Sequence, residues 1–588
     1  MLRAEPPPLL GSSGAKPSLA WPALSARPMA GSRRWATLAR RSVVVLLGLA
    51  AMLLWGYPLL GFLLGAIFPH VLQGRLAFSL HAFAQALQGG MPGALRNSAL
   101  VSFGAAVLAL PMGAWLAWLR TRTALAWTAW IEAGVWLLLV MPGYFLASGW
   151  MLLAAPIGPL TGNPGALRIA QGLLGPAGIV LTLALKALPF VFLAVQASLL
   201  NTPAGPLEAA RVLGLSRRRR LGLAAVMLIP ALVAGFTAAF AESASDFAVA
   251  ATLGAGSGFT LATYAIEQAV NAMPLNFPLA AASSWLLVAL LLPALILQRW
   301  AGRGAAARRS LGARHRPAAP ARLDPSMAVL NAIAVALLAL LALGIPLFAA
   351  GDLALGGTGP ADIGTELAAV LPAFAYSLEL AVLAASVTVL LAWPIAALTA
   401  SNSRGARLLD LAMLGVMALP GIVLAASYVQ AYNQPWTPLY GGSTLLAMAY
   451  VALALPASSR VLLGPVAQLH RSLSDAGRVH GLSRLQTVLA IDLPLLARPL
   501  FAAWLLAALH IAFELPASEL LYPAGHPPLA VALLDAANGF QLHQQARVQL
   551  LGMGLLMGFA VIARLGFGRF AALRAAPRLA FHPDCAKP

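Results

Sequence analysis

Apolar runs long enough to cross a bilayer recur along the chain, separated by short polar loops in which arginine, glycine and proline are frequent. A bilayer core takes roughly 20 apolar residues per helical span. On that measure about twelve runs stand out, at about 42–68, 98–119, 126–150, 173–198, 223–248, 277–299, 327–350, 374–399, 408–430, 442–465, 488–513 and 547–567. The pattern predicts an all-α polytopic membrane protein. Residues 1–41, rich in Pro, Ala, Ser and Arg and without helical periodicity, read as a mobile tail. The first run starts too late and is too long for a cleaved signal peptide, so it is expected to stay as the first helix.

Composition sharpens this picture. With 60% hydrophobic residues, 10% charged residues and a mean hydropathy of +0.83, the chain has too little polar surface to cover a soluble globule. Its net charge of +20 is carried almost wholly by arginine, since lysine occurs only at positions 16, 186 and 587. Loops assigned to one side hold Arg33, Arg34, Arg40, Arg41, Arg120, Arg122, Arg217 to Arg220 and a cluster from Arg303 to Arg322. They also hold Arg404, Arg407, Arg471, Arg478, Arg484, Arg569, Arg574 and Arg578, whereas the other side keeps only Arg75, Arg96 and Arg168, with Arg547 at a boundary. Cationic loops stay in the cytoplasm, so both termini and both copies of a repeated loop are expected there. The basic balance is a topology signal, not a nucleic-acid signal, although Arg217 to Arg220 are also placed to touch anionic lipid. Cys585, the one cysteine, excludes an intrachain disulfide and any Cys-rich metal site.

A polar loop occurs twice. Glu208-Ala209-Ala210-Arg211-Val212-Leu213-Gly214 returns 267 residues later as Asp475-Ala476-Gly477-Arg478-Val479-His480-Gly481. Leu188-Pro189 and Leu455-Pro456 keep that spacing, and Met141-Pro142-Gly143 pairs with Leu419-Pro420-Gly421 at a spacing of 278. The chain therefore reads as two tandem six-helix repeats, 42–300 and 327–570, joined by an Arg-rich cytoplasmic linker at 301–326 and followed by a tail at 571–588. Six spans return the chain to its starting side, which makes the repeats parallel in topology. In each loop the acid is expected to open a short helix, where the dipole favours it, and Gly214 or Gly481 to end that helix at positive φ.

In these residues the chain resembles the membrane permease subunits of ATP-binding-cassette importers, whose loop reads Glu-Ala-Ala, three residues, Gly, nine residues, Ile-x-Leu-Pro. The second copy has Asp475-Ala476-Gly477, Gly481 and Ile491-Asp492-Leu493-Pro494 at that spacing. The first has Glu208-Ala209-Ala210 and Gly214, but its Leu228-Ile229-Pro230 lies three residues further along, beyond the arginine run. The resemblance implies that loops 207–222 and 472–487 carry coupling helices that dock two copies of an ATPase subunit, and that a periplasmic binding protein delivers the cargo. A fused two-half form looks most like the ferric iron or thiamine branch, with polyamine and phosphonate systems related.

The chain is not expected to be an enzyme or to hold a cofactor. No lysine sits in a phosphate-binding Gly-Lys-Ser/Thr loop, so ATP would be bound by the partner ATPase. Charged groups inside spans are costly and so are candidates for the substrate path. Glu242 with Asp246, and His510 with Glu514, stand near the outer ends of the fifth and eleventh spans; they either line a vestibule for cationic cargo or serve as interhelical hydrogen-bond partners. Two ligands such as His510 and Glu514 do not make a metal site. Glu132 and Lys186 are expected to pair or snorkel. Pro142-Gly143 and Pro420-Gly421 either break helices beside a cavity or end them. An ion-coupled secondary transporter of 6+6 helices is the alternative function. It leaves both loops unexplained.

Overall fold

The computed structural model describes residues 42, 44–201, 205–273, 275–309, 320–356, 360–401, 404–417, 419–469 and 471–575. The expected tail at 1–41, linker residues 310–319, and the C-terminal stretch from 576 with Cys585 lie outside them. Two compact units are present, 1–50 and 51–588; in the first, Ser42 and Val44–Ala50 are helical. The second unit holds everything described below.

Besides the short helices His81–Gln88, Pro164–Gly172 and Arg484–Thr487, its helices are α1 (Tyr57–Gly65), α2 (Met91–Arg122), α3 (Ala129–Val140), α4 (Gly143–Leu153), α5 (Pro176–Asn201), α6 (Gly205–Val212) and α7 (Arg217–Ser245). Then come α8 (Ala262–Asn271), α9 (Phe277–Arg309), α10 (Pro325–Ala339), α11 (Ile345–Leu355), α12 (Pro360–Thr399), α13 (Arg404–Met417) and α14 (Gly421–Tyr432). The last six are α15 (Ser443–Gln468), α16 (Arg471–Val479), α17 (Leu493–Ala512), α18 (Pro516–Leu521), α19 (Leu529–Asn538) and α20 (Leu542–Ala575). A two-residue antiparallel ladder, Asn433–Gln434 with Thr437–Pro438, is the one named sheet among the described residues.

Among the described residues, ten helices are long and apolar enough to cross a membrane, or up to twelve if each of two bent pairs is one span. The all-helical expectation therefore holds, but the third and ninth runs are not straight. Ala126–Val140 meets Gly143–Leu153 at 94°, and Gly405–Met417 meets Gly421–Tyr432 at 99°. The cause is local: Met141, which precedes a proline, is held extended (φ −68°, ψ 125°), and Pro142 is extended as well (φ −70°, ψ 150°). Helix α9 continues to Arg309 and α20 to Ala575, so both run past the ends expected at 300 and 570. Alanine at 305–307 and 571–572 favours that continuation.

In the N-terminal half, α2, α5 and α7 pack on one another; in the C-terminal half, α12, α15 and α17 do the same. These contacts are close because the facing residues are small. A Cβ on Gly113 of α2 would stand 2.7 Å from Val191 of α5, and Ala105, Ala106, Ala109 and Ala117 of α2 are fully enclosed. Without a hydrophobic drive between helices in lipid, small faces and dispersion hold such bundles.

The opening helix of each half packs across on the other half: α1 lies on α14, and α11 lies on α4. Polar bonds fix the first crossing. Trp55 Nε1 donates to the Ala452 carbonyl at 3.0 Å, and the Tyr57 hydroxyl donates to the Ala431 carbonyl at 3.0 Å. At the second crossing, a Cβ on Gly149 would stand 2.4 Å from Pro346 Cβ, so only glycine admits α11 at this distance. The return from the linker is pinned too: Ala321 N–H donates to the Arg122 carbonyl and Ala124 N–H to the Ala321 carbonyl.

Candidate functional site

Asp246 caps the C-terminus of α7 and accepts the Val249 N–H at 2.6 Å, while its own carbonyl accepts the Thr263 hydroxyl at 3.0 Å. Its side chain is only 1% exposed, and Lys186 of α5 forms an ion pair with it. Lys186 also reaches Glu242, one turn back on α7, at 3.4 Å. A Cβ on Gly143, at the start of α4, would meet Asp246 Oδ2 at 2.9 Å and Lys186 Cδ at 3.2 Å. Glycine after Pro142 is thus what lets the bent pair sit against the ion pair.

Glu514 is built in the same way at the end of α17. Its carboxylate accepts the N–H groups of Ala517, at 2.9 Å, and Ser518, at 3.2 Å, at the start of α18. Gly421, at the start of α14, lies against it: a Cβ there would be 3.6 Å from Glu514 Oε1 and 3.3 Å from Pro516. The Tyr450 hydroxyl is 2.7 Å from Ser518 Oγ, and the Tyr144 ring meets Phe513 edge-on at 6.5 Å, joining the two halves. Glu514 is buried, at 7% exposure, and makes no ion pair among the described residues.

The four residues expected on the path therefore divide. Asp246 and Glu514 are enclosed and hold the backbone; Glu242 on α7 is about one-third exposed and His510 on α17 is exposed. No group of three or more metal-ligating side chains occurs among the described residues. Glu132 pairs with Arg120 at 2.9 Å, and Asp410 in the other bent pair is held by Arg460 at 2.8 Å.

The two polar loops have matching ends and differing starts. After α6, Leu215 N–H donates to the Ala210 carbonyl and Gly214 N–H to the Arg211 carbonyl, with Gly214 at φ +70°. This double closure is a Schellman turn and needs a residue that tolerates the left-handed region. After α16, Leu482 N–H donates to the Gly477 carbonyl, with Gly481 at φ +83°. Glu208 lies in the first turn of α6, as expected, but α16 begins at Arg471, so Asp475 sits in its second turn and does not open the helix. Glu208, Ala209, Asp475 and Ala476 are exposed; Ala210 and Gly477 are buried. Val212 and Val479, at equivalent places, are 87% and 85% exposed.

No family model matches the chain. A stretch is 27% identical over 172 residues, 27% of this chain, to the Probable ABC transporter permease protein y4fN of Sinorhizobium fredii. Another is 31% identical over 141 residues, 23% of this chain, to the Trehalose/maltose transport system permease protein MalG of Thermococcus litoralis. The chain is distantly and partially similar to ABC transporter permeases. The matched stretches span 30% of the first relative and 49% of the second. With ten to twelve candidate spans, it is a multi-pass membrane protein.

Sequence reasoning missed Tyr144, Tyr450 and Ser518 at the seam. Each is an ordinary span or turn residue in its own segment, and only the meeting of α4, α15 and α18 gives it a partner. The intramembrane charge of Lys186 and the Pro142-Gly143 pair were visible, but not that they touch.

Proposed function

We propose that the chain is the membrane permease subunit of an ATP-driven importer, made of two six-helix repeats with both loops in the cytoplasm. The observation that carries this is the pair of short helices, α6 and α16, each ending at a left-handed glycine and each presenting an exposed valine. A small apolar knob on a braced helix suits a groove on a soluble partner. The partial similarity to permeases supports the same reading. Two copies of an ATPase subunit would dock there, one per loop through Glu208 to Gly214 and Asp475 to Gly481, and ATP would bind on those subunits. A periplasmic binding protein would supply a small solute from the other side.

Cationic cargo is favoured, ferric iron or thiamine-like, with polyamine or phosphonate as further classes. Glu242, about one-third exposed, supports it, while Lys186 reaches it at 3.4 Å and pairs with the enclosed Asp246. Opening of the seam between the halves would bring cargo past Glu242 and His510. Binding of ATP and of cargo would both bias this one two-state element.

The test is co-purification and ATP hydrolysis with the candidate ATPase, comparing wild type with Glu208→Arg, Gly214→Trp, Asp475→Arg and Gly481→Trp. Loss of the complex with membrane insertion intact is the expected result. Transport that survives in the loop variants and collapses with the proton gradient would instead establish ion-coupled transport. The enclosed ion pair at Asp246 removes that residue from the groups able to serve this alternative, because a carrier carboxylate must exchange its proton.

A further inference from the structure

The two loops hand the chain to the next helix in chemically different ways. After the second loop, Ser483 and Gln486 cap each other: Ser483 N–H donates to Gln486 Oε1 at 2.9 Å, and Gln486 N–H donates to Ser483 Oγ at 3.3 Å. This reciprocal capping box satisfies two helix-end donors with neutral groups. After the first loop, Ser216 stands where Ser483 does, but the three residues that follow it are all arginine, and a fourth comes next. The Ser216 hydroxyl accepts a long bond, 3.5 Å, from Arg219 N–H, and the Arg219 side chain has no acceptor with which to return it.

Cations in the first turn oppose the helix dipole, so the run Arg217 to Arg220 weakens the start of α7 when α7 is taken alone. Arg218 and Arg219 are exposed, Arg220 is half-exposed, and none of the three makes an ion pair among the described residues. The acid of the same loop, Glu208, is also exposed and is not paired with them. An anion from outside the chain is what this charge fits.

Position decides which anion. By length and apolar composition, the candidate membrane span of α7 is Arg218–Ser245. At about 1.5 Å rise per residue, Arg218 to Arg220 lie within about 5 Å, along the helix axis, of the apolar stretch that begins at Leu221. That is headgroup depth. We infer that Arg218, Arg219 and Arg220 form an anionic-phospholipid headgroup site that anchors α7, and through it the packed α6, to the bilayer surface, whereas the matching positions after the second loop are Leu485, Gln486 and Thr487. Helix α6 packs on the start of α7, so lipid charge holds one loop of the two.

The experiment is native mass spectrometry of the purified full-length chain titrated with phosphatidylglycerol or phosphatidylcholine. Wild type is expected to retain phosphatidylglycerol in preference. The triple variant Arg218→Gln, Arg219→Gln, Arg220→Gln should lose that preference by at least about ten-fold, and the triple lysine variant should keep most of it. Excess inorganic phosphate should not displace the lipid. Equal retention of both lipids by wild type, an unchanged preference in the glutamine variant, or displacement by phosphate would each overturn the proposal. If the triple variant does not insert, the single variants Arg218→Gln and Arg219→Gln decide, each expected to lower the preference about two-fold or more. Unchanged lipid retention with lost ATPase binding would assign the arginines to an acidic protein surface instead. Lipid retention is read without any ATPase, so it stands or falls separately from the importer reading.

Discussion

Tyr428 donates its hydroxyl to the Leu54 carbonyl at 2.9 Å, and one turn on Tyr432 donates to the Leu53 carbonyl at 2.5 Å. These are the two carbonyls that an N–H at position 58 would reach, in the α and the π pattern respectively, and Pro58 has none to offer. A π turn at Met52–Gly56 sends the Tyr57 N–H to the Met52 carbonyl, and Pro58 has no N–H for the next acceptor in either the α or the π pattern. In lipid such groups have no water to turn to. The crossing of α1 onto α14 is therefore a repair of a proline break by the other half of the chain.

The first prediction follows from that repair. Tyr428→Phe and Tyr432→Phe should each cost about 1 kcal/mol, read as lower thermal stability by size-exclusion chromatography in detergent. Pro58→Ala restores an N–H to the helix, so either tyrosine change should cost less in that background. Equal costs in both backgrounds would separate the tyrosines from the proline.

Lys186 is the counter-ion of an enclosed carboxylate. Lys186→Met leaves Asp246 charged and unpaired and should destabilise the protein by about 3–5 kcal/mol. The double change Lys186→Met with Asp246→Asn should recover most of that loss, since neither charge of the enclosed pair then remains. Thermal unfolding of the three variants checks both halves of the statement.

Two glycines with short Cβ distances should respond oppositely. At Gly149 the obstacle is Pro346, with Cβ at 2.4 Å and Cα at 2.6 Å, and neither yields without moving a helix. Gly149→Ala should cost about 1–3 kcal/mol or more. At Gly477 the obstacle is Ile491 Cδ1 at 2.8 Å, the end of a flexible side chain. Gly477→Ala should be tolerated within about 1 kcal/mol, with α16 intact by hydrogen exchange.

Outside the spans, Glu519 on α18 is pushed up to about 7 by burial, then by the charges of Asp535 and Glu267. Its Oε2 is enclosed without a partner. A carboxyl whose folded pKa exceeds its unfolded value of about 4.3 contributes stability that is full below that value and lost as pH rises through about 7. Wild type should therefore lose about 1–3 kcal/mol between pH 4 and pH 8 on this account, and Glu519→Gln should flatten that part of the profile. Thermal melts across this range measure it.

The sequence alone determined the membrane class, the approximate place of each span, the two loops and the glycines that close them. Each of these depends on residues near one another in the chain: a run of apolar side chains, a helix end, a proline followed by a glycine. Even the bends at Pro142 and Pro420 were legible as breaks, because proline restricts its own neighbours. What the sequence left open was which charges meet. Glu242 and Asp246 read either as vestibule groups or as interhelical partners, and only the structure brings Lys186, 60 residues before Asp246, against both. Asp475 looked like a helix opener until the helix was found to begin four residues sooner. Only the tertiary structure decided the crossing of α1 and α11 onto opposite halves, the partnering of Leu53 and Leu54 with Tyr432 and Tyr428, and the division of the four path residues into buried holders and exposed contacts. The reason is physical. In a bundle of apolar helices, almost any face can be buried, so the pattern fixes the helices while a few polar bonds and small-residue contacts choose their neighbours.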